Sequence, residues 1–550
     1  MKQHIQAGTQ GGLAVVLHAH LPFVRHPEHP RFLEESWLFQ AVTDVYLPLL
    51  GLLKGWEQDK VPARLTLSIS PTLAAMLSDR MLMSKTGDYI ESRLELAEKE
   101  LHRTAWMPEF HPLAQYYYEF YSAAKEDFNN YRGAFLESFA SHQESGTVEL
   151  ITTAATHAVL PLLSPNSGSI EGQIRTALRA HRKWAGRSPK GFWLPECAYS
   201  PRLDETLRGE GIDWVIVDTH SIQQSHATSR GEFDHPVFTP SGLAVFTRDP
   251  QSSAQVWSRE CGYPGDPNYR DFYRDVGFDL EQNYIEPYLP CPGHRGFTGL
   301  KYHRITGPSV EKGPYDPGIA QSMAATHASH FVASRLMHLR LTDRNGSATA
   351  APILIAPFDA ELFGHWWHEG PRFLDLVARQ ASSLKSRLKL LTPSDHLENS
   401  VIRRDSEAKR QPTTSSWGEG GYWEVWLNKR NAWMYPRMRQ AEDRFAALLA
   451  KHRSPNSSVA EAFRRAAAQL LLAQSSDWAF MIRPASENQY ASRRFLEHLN
   501  RFHSIADWIE TPLSAVGPQF TEQEIFPLLD LDDWRPPQPR KMKHVKPAEK

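Results

Sequence analysis

The sequence predicts a closed α/β barrel, and three observations carry that expectation. Seven short apolar runs rich in β-branched residues recur through the first two-thirds of the chain. Helical patterns lie between several of them, and most of the runs end in a titratable residue. Strand–helix alternation specifies a parallel sheet, and seven units in one chain favour closing that sheet into a barrel. No Gly-rich phosphate fingerprint follows the first run, which counts against the doubly wound open sheet.

The runs are Leu13–His20, Arg64–Pro71, Val148–His157, Gly191–Glu196, Asp213–His220, Leu243–Asp249 and Pro352–Asp359. Each is bounded by Gly, Pro or polar residues, as strands are. Ile174–Trp184 and Leu203–Gly209 have helical apolar spacing. After Asp359 the pattern changes: Pro371–Lys389 reads as a helix and Leu390–Leu397 as one more short strand and loop. Asn431–His452, Val459–Gln474 and Ala491–Ser504 are helical by period. The expected organisation is a barrel over 1–410, interrupted by an insertion around 250–350, then a helical domain over 411–532. The proline-rich, basic tail 533–550 is expected to be disordered. No internal repeat points to a solenoid.

Composition narrows the function. The 550 residues carry 61 Lys+Arg against 63 Asp+Glu, a net charge of -2, which disfavours work based on electrostatic binding of nucleic acid or anionic membrane. With 41% hydrophobic residues the chain can bury a sizeable core. No uninterrupted run approaches the roughly 20 apolar residues of a membrane span, and the polar start lacks the apolar stretch of a secretory signal. Cys197, Cys261 and Cys291 are too few and scattered for a disulfide framework or a Cys-based zinc site. A soluble cytoplasmic enzyme is expected, with neither nucleic acid nor membrane as partner. Its oligomeric state stays open, a monomer being the simpler expectation.

The strand ends hold the candidate chemistry: His18 and His20, Ser70, His157, Glu196, Asp218 and His220, Asp249, and Asp359. A parallel barrel carries its active site at those ends, although polar residues also begin there for no functional reason. His18 and His20, at i and i+2, share one face. They suit binding of substrate hydroxyls, a divalent metal if further ligands arrive, or a structural role. In Trp193-Leu-Pro-Glu196, tryptophan and proline give a carboxylate a stiff, partly apolar setting that can fix its direction and tune its pKa. In Phe358-Asp359-Ala-Glu361-Leu-Phe-Gly-His365-Trp366, Asp359 and Glu361 share a face if the strand continues. Two carboxylates from different strands can support glycosyl transfer. The insertion is dense in aromatics: Trp257, Tyr263, Tyr269, Phe272 and Tyr273 suit stacking on sugar rings or bases, or form a small subcore. No G-x-S-x-G, H-E-x-x-H or phosphate-binding loop is present in the sequence. A nucleophilic role for Cys197 is opposed by the carboxylate before it.

At these residues the chain resembles glycoside hydrolase family 57, and within it the α-glucan branching enzymes. His18-Ala-His20-Leu-Pro is similar to the family's first motif and Leu150–His157 to its second. Trp193-Leu-Pro-Glu196-Cys-Ala-Tyr199 is similar to the third, Phe358–Trp367 to the fourth, and Ser475-Ser-Asp477-Trp478 to the motif of the helical domain. The resemblance implies a distorted (β/α)7 barrel with an inserted domain and a C-terminal helical domain closing one side of the cleft. It implies a retaining double displacement with no metal and no cofactor. Glu196 would be the nucleophile and Asp359 the acid/base, with carboxyls about 5–5.5 Å apart. The reaction implied converts α-1,4 links to α-1,6 branches, with α-1,4-glucan (amylose, glycogen) as donor and acceptor in glycogen biosynthesis. His18, His20 and His157 would hold the sugar at the cleavage point. Trp37, Trp257, Trp417, Trp426, Asp477 and Trp478 would form walls and subsites, Trp417 and Trp426 facing the cleft. One departure is visible. The family's branching members carry a tyrosine on a mobile loop after the fifth strand, and 218–245 contains none, Phe233 being the only aromatic near the expected tip. Without that shield, an α-amylase-like hydrolase or a 4-α-glucanotransferase is the alternative.

Overall fold

A computed structural model describes residues 11–534, apart from 224–231, 259–260, 308–310, 344–350, 385–386, 400–408, 483–487, 512–516, 519–524 and 527–528. Of the tail 533–550 expected to be disordered, Asp533 and Trp534 are a correction, since both are buried in the 3-10 turn Leu531–Trp534, with the Trp534 ring against Gly172 and Asp533 paired with Arg179. Residues 535–550 and the tip of the loop after the fifth strand lie outside the described residues. The strands are β1 Gly11–Ala19, β2 Leu65–Ile69, β3 Val148–Ile151, β4 Gly191–Phe192, β5 Trp214–Val217, β6 Val237–Phe238, β7 Ala244–Thr247, β8 Ile353–Asp359 and β9 Leu388–Leu390. Two parallel sheets, β3-β2-β1-β8 and β4-β5-β7, are joined at both seams. Thr152 bridges to Phe192, and Arg248 to Ile355, each in parallel. Seven parallel strands thus close a ring. The two extra strands fill flanks: β6 runs antiparallel to β7, and β9 pairs with the start of β1. Each expected run contains one of the seven strands. After Ile151 and Phe192 the chain leaves the ladder, and the single bridge Thr152–Phe192 is the pairing at that seam.

Side-chain alternation with period two sorts the strands into two cores. Ala14, Val16, Trp214, Ile216, Phe246, Ile353 and Ile355 fill the barrel interior. Leu13, Val15, Leu17, Val215, Leu354 and Phe358 face the surrounding helices. The same parity carries His18 on β1, His20 just past its end, and Asp359 on β8 to the inner face at the upper rim. At the base Gly191 is required, since a Cβ there would lie 2.2 Å from the Trp214 ring.

Several elements differ from expectation. Leu390–Leu397 is strand only at its first residue, and Pro393–Asn399 is helical. The continuous helix Glu35–Gln58 is long and apolar enough to cross a membrane by length and composition, yet 67% of its apolar window is buried inside the protein. Its charged residues Glu35, Asp44, Lys54 and Glu57 keep it from reading as an uninterrupted apolar run. The stretch 250–352 is built around helices Pro250–Trp257 and Pro317–Asp343. Its aromatics divide: Tyr263 and Tyr269 are buried in the core, while Trp257 and Tyr273 are exposed. Helices Met434–Lys451, Ser457–Ala473, Ser476–Met481 and Asn488–Glu510 pack together after the barrel.

Candidate active site

Glu196 sits on a turn just beyond β4, where it and Cys197 adopt φ of 61° and 48°. His157, on the turn after β3, has φ of 56°. Left-handed conformations of non-glycine residues are strained and persist where the surroundings over-determine them. Here the surroundings are explicit. Residues 415–417 run antiparallel to 196–199: the Tyr199 amide donates to the Ser415 carbonyl (2.8 Å), the Ser415 amide to Tyr199 (3.2 Å), and the Trp417 amide to the Glu196 carbonyl (3.1 Å). That pairing plants the Trp417 indole over the carboxylate, and its Nε1–H donates to Glu196 Oε2 at 2.9 Å. On the other side, Gln173 fixes the loop bearing His157 by accepting from the Thr156 amide and donating to Gln474.

The three predicted histidines come together. Ring centroids of His20 and His157 are 4.1 Å apart, those of His18 and His157 4.8 Å, and Trp193 stacks on His18 at 5.0 Å. His18 Nε2 and His157 Nε2 are 2.9 Å apart, a contact that needs one ring to donate and the other to accept. Burial, reinforced by the neighbouring histidines, pushes both rings well below the ordinary imidazole pKa. They are neutral at pH 7 and share one N–H. Ser68 holds His18 Nδ1 (3.2 Å) and Ser70 holds His20 Nδ1 (2.9 Å). His20 Nε2 meets the Asp477 carboxylate at 3.1 Å. Burial opposes ionisation of Asp477, but His20 and Ser475 outweigh it and leave its pKa below the ordinary value. With their ring nitrogens engaged in this way, the histidines are not set out as a metal cage. Among the described residues no group of three His, Cys, Asp or Glu side chains could hold a metal ion.

Helix Ser476–Met481 supplies the remaining contacts. Ser476 Oγ lies 2.8 Å from His157 Nδ1 and 3.4 Å from Glu196 Oε1. The chain after the barrel therefore completes the barrel's site. Glu196 is enclosed, its side chain 15% exposed. Burial pushes its carboxyl up to about 8, opposed by the Trp417 hydrogen bond and reinforced by Asp359. Asp359, paired in register with His18 across β1 and β8, is pushed up to about 7 by burial and then by Glu361. Two such carboxyls hold about one proton between them near neutral pH.

Glu361 stands behind this pair. Burial raises it to about 7, and Tyr46 Oη–H donates to it at 2.5 Å. Tyr46 belongs to a single π-turn, Val42–Tyr46, that interrupts helix Glu35–Gln58. From the same turn Asp44 reaches His365 Nδ1 at 3.1 Å. Its carbonyl also abuts Gly364, whose φ is 117° and whose added Cβ would lie 1.8 Å from that oxygen. No motif or spacing in the sequence signalled Asp44 or Tyr46. The π-turn, a form that often marks functional positions, became visible only in the fold.

The other predicted residues divide. Trp257 is 41% exposed and lies edge-on to Trp417 at 6.3 Å. Trp37 is partly buried and meets Tyr490 edge-on, at the seam with helix Asn488–Glu510. Trp426 and Trp478 are corrections to the sequence expectation, because both are fully buried in the core and present no surface to a ligand. Trp426 packs against Gly418, and the Trp478 Nε1–H is used by the Leu472 carbonyl. Asp218 is held by Arg248 (2.6 Å) and His220 (2.9 Å), and Asp249 caps helix Pro250–Trp257, so these strand ends are structural. Burial pushes the Cys197 thiol well above its usual range, which removes it as a nucleophile. Phe233 packs against the core rather than standing at a loop tip.

Comparison with known proteins gives this geometry its family. The profile of glycosyl hydrolase family 57 matches residues 14–410, and that of the 1,4-α-glucan branching enzyme C-terminal region matches 437–534. The chain belongs to glycoside hydrolase family 57. A 1,4-α-glucan branching enzyme of Thermococcus kodakarensis is 30% identical over 90% of this chain and 74% of its own length. Among solved structures, a family 57 branching enzyme of Pyrococcus horikoshii superposes with a TM-score of 0.83 at 29% identity, over 96% of this chain and 98% of that one. The α-amylase of Thermotoga maritima superposes with a TM-score of 0.83 at 36% identity, over 95% of this chain and 96% of that one. The family's (β/α)7 barrel with following helices is the architecture found here.

Proposed function

We propose that this family 57 chain is a 1,4-α-glucan branching enzyme that works by retaining double displacement on glycogen-type storage glucan. One observation carries the reading. The branching-enzyme C-terminal profile starts at residue 437 and spans the helices that bring Ser476 to Glu196 and Asp477 to His20. The region that the branching-enzyme profile matches is thus the region that completes the site.

In the proposed mechanism Glu196 attacks the anomeric carbon of an α-1,4-glucan, forming a covalent glycosyl-enzyme as the C–O bond breaks. Asp359 gives its proton to the departing oxygen. It then takes a proton from the 6-hydroxyl of an acceptor glucose, whose oxygen displaces Glu196 to leave an α-1,6 branch. The Trp417 N–H stabilises the Glu196 anion and so raises the share of the productive form, with Glu196 ionised and Asp359 protonated. That is the minority form while Glu196 is pushed up to about 8 and Asp359 to about 7. His18, His20 and His157 would wall the sugar at the cleavage point, and the Asp477 and Ser476 oxygens that hold their outer nitrogens can take further hydrogen bonds from its hydroxyls. Hydrolysis is the second reading, favoured by the likeness to the Thermotoga α-amylase and by the absence of tyrosine from 218–245. Water then takes the place of the acceptor hydroxyl at the same intermediate.

The test is incubation with amylose, counting new reducing ends and new α-1,6 links in one tube. Branches in large excess over reducing ends support branching, and reducing ends in excess support hydrolysis. Glu196→Gln and Asp359→Asn should each abolish both products. Near-normal turnover by either variant would sink the catalytic assignment.

A further inference from the structure

We propose that Phe272, Tyr273, Phe297 and Trp366 form a glucan-binding platform beside the acid/base turn, stacking against the apolar faces of an α-1,4-glucan chain. The identity of the ligand rests on the α-glucan reading above. Exposed aromatic side chains are ordinary when scattered, but a contiguous group marks a binding surface. Among the described residues six aromatic side chains are exposed, and three of them, Tyr273, Phe278 and Trp366, gather around Phe272 and Phe297. Trp366 is 52% exposed and Tyr273 72%.

The platform is rigid. The Trp366 and Phe272 rings stack at 4.4 Å with 30° between their planes, so one indole face is covered and the remaining exposure belongs to the rest of the ring. Tyr273 stands edge-on to Phe272 at 5.2 Å, and Phe297 packs on it at 5.4 Å. The buried ammonium of Lys301 lies 4.7 Å from the Phe272 centroid and 4.1 Å from that of Phe297, and donates to the Phe272 carbonyl. Flat rings fixed in this way lose little conformational entropy when a flat ligand binds. A pyranose ring presents just such a face of C–H groups, with its hydroxyls at the rim.

The platform is also tied to the catalytic turn. The Trp366 amide donates to the Glu361 carbonyl at 3.2 Å, and Glu361 is two residues from Asp359. A chain lying across Trp366 is therefore held by the same turn that carries the proton donor. This arrangement would retain a long polymer near the site while its cut segment is transferred.

The test uses Glu196→Gln enzyme, so that no polymer is consumed, in affinity electrophoresis through gels containing soluble amylose or dextran. Trp366→Leu keeps apolar volume over Phe272 but removes the flat face, and Tyr273→Ala changes only an exposed ring. Each should weaken the apparent Kd for amylose by about tenfold, the scale of losing one aromatic anchor, with an unchanged melting temperature and no effect in dextran. Retardation within twofold of the parent for both variants overturns the platform. So does a result in which the substitutions alter only self-association in sedimentation. If wild-type enzyme makes no α-1,6 links but amylose still retards it through Trp366, the branching reading fails and the platform stands.

Discussion

Replacing Trp417 with Phe probes the hydrogen bond that favours ionisation of Glu196 in the proposed pair of catalytic carboxyls. The substitution retains a ring against Trp193 (5.1 Å) and Trp257 (6.3 Å) but deletes the Nε1–H that reaches Glu196 Oε2 at 2.9 Å. A hydrogen bond to a charged group is worth about 1.5–3 kcal/mol. At 1.36 kcal/mol per tenfold, its loss shifts the shared proton further onto Glu196, relative to Asp359, by roughly 10- to 150-fold. Glu196 and Asp359, raised to about 8 and about 7, hold one proton around neutrality. The variant therefore leaves a correspondingly smaller fraction with Glu196 ionised and Asp359 protonated. We expect kcat/KM on a chromogenic maltooligosaccharide to fall by at least tenfold between pH 6 and 8, with native near-UV dichroism. Activity within twofold of wild type across that range would refute the reasoning, because the indole N–H would then have no part in placing the proton.

Three further outcomes follow from the same contacts. Burial and then the Glu361 charge raise Asp359, and Glu361→Gln removes the second, so Asp359 should lose its proton at lower pH and the alkaline limb of kcat/KM should move down; an unmoved limb would show that Glu361 does not act on the proposed acid/base. Glu196 has a folded pKa of about 8 against an ordinary 4.5. The stability its protonated form contributes is full below about pH 4.5 and is lost as pH rises through about 8. Glu196→Gln stays neutral, so it should melt above wild type by a margin that grows from pH 5 to pH 8, and a constant margin would contradict the assignment. Gly364→Ala places a Cβ 1.8 Å from the Asp44 carbonyl at a φ of 117°. Strain of this kind costs on the order of 1–3 kcal/mol for the backbone alone, so the variant should melt well below wild type, and an unchanged melting temperature would show that the turn relaxes freely.

Much of the barrel was legible because period-two alternation is local. Leu13, Val15 and Leu17 against Ala14, Val16 and His18 already states which face of β1 meets the helices and which lines the interior. From that parity the sequence alone determined that His18, His20 and Asp359 enter one barrel mouth, and the ends of the runs placed Glu196 beside them. Where the ladder stops was not legible: β3 and β4 are shorter than their runs and meet through a single bridge at the seam, a fact about neighbours in space.

Burial of the tryptophans was beyond the sequence for the same reason. Trp417 and Trp426 lie nine residues apart in one aromatic segment, and nothing local separates the indole that bonds Glu196 from the one that packs on Gly418 in the core. The contacts that tune the chemistry join residues distant in the chain: Tyr46 to Glu361, Asp44 to His365, Ser476 to Glu196, Asp477 to His20. Residue type and spacing determined which groups can react and which strand face presents them. Only the tertiary structure decided which carboxyl receives a hydrogen bond and which rings are neutral. The reason is physical, since desolvation and hydrogen bonding act through space at a few ångströms, whatever the separation along the chain.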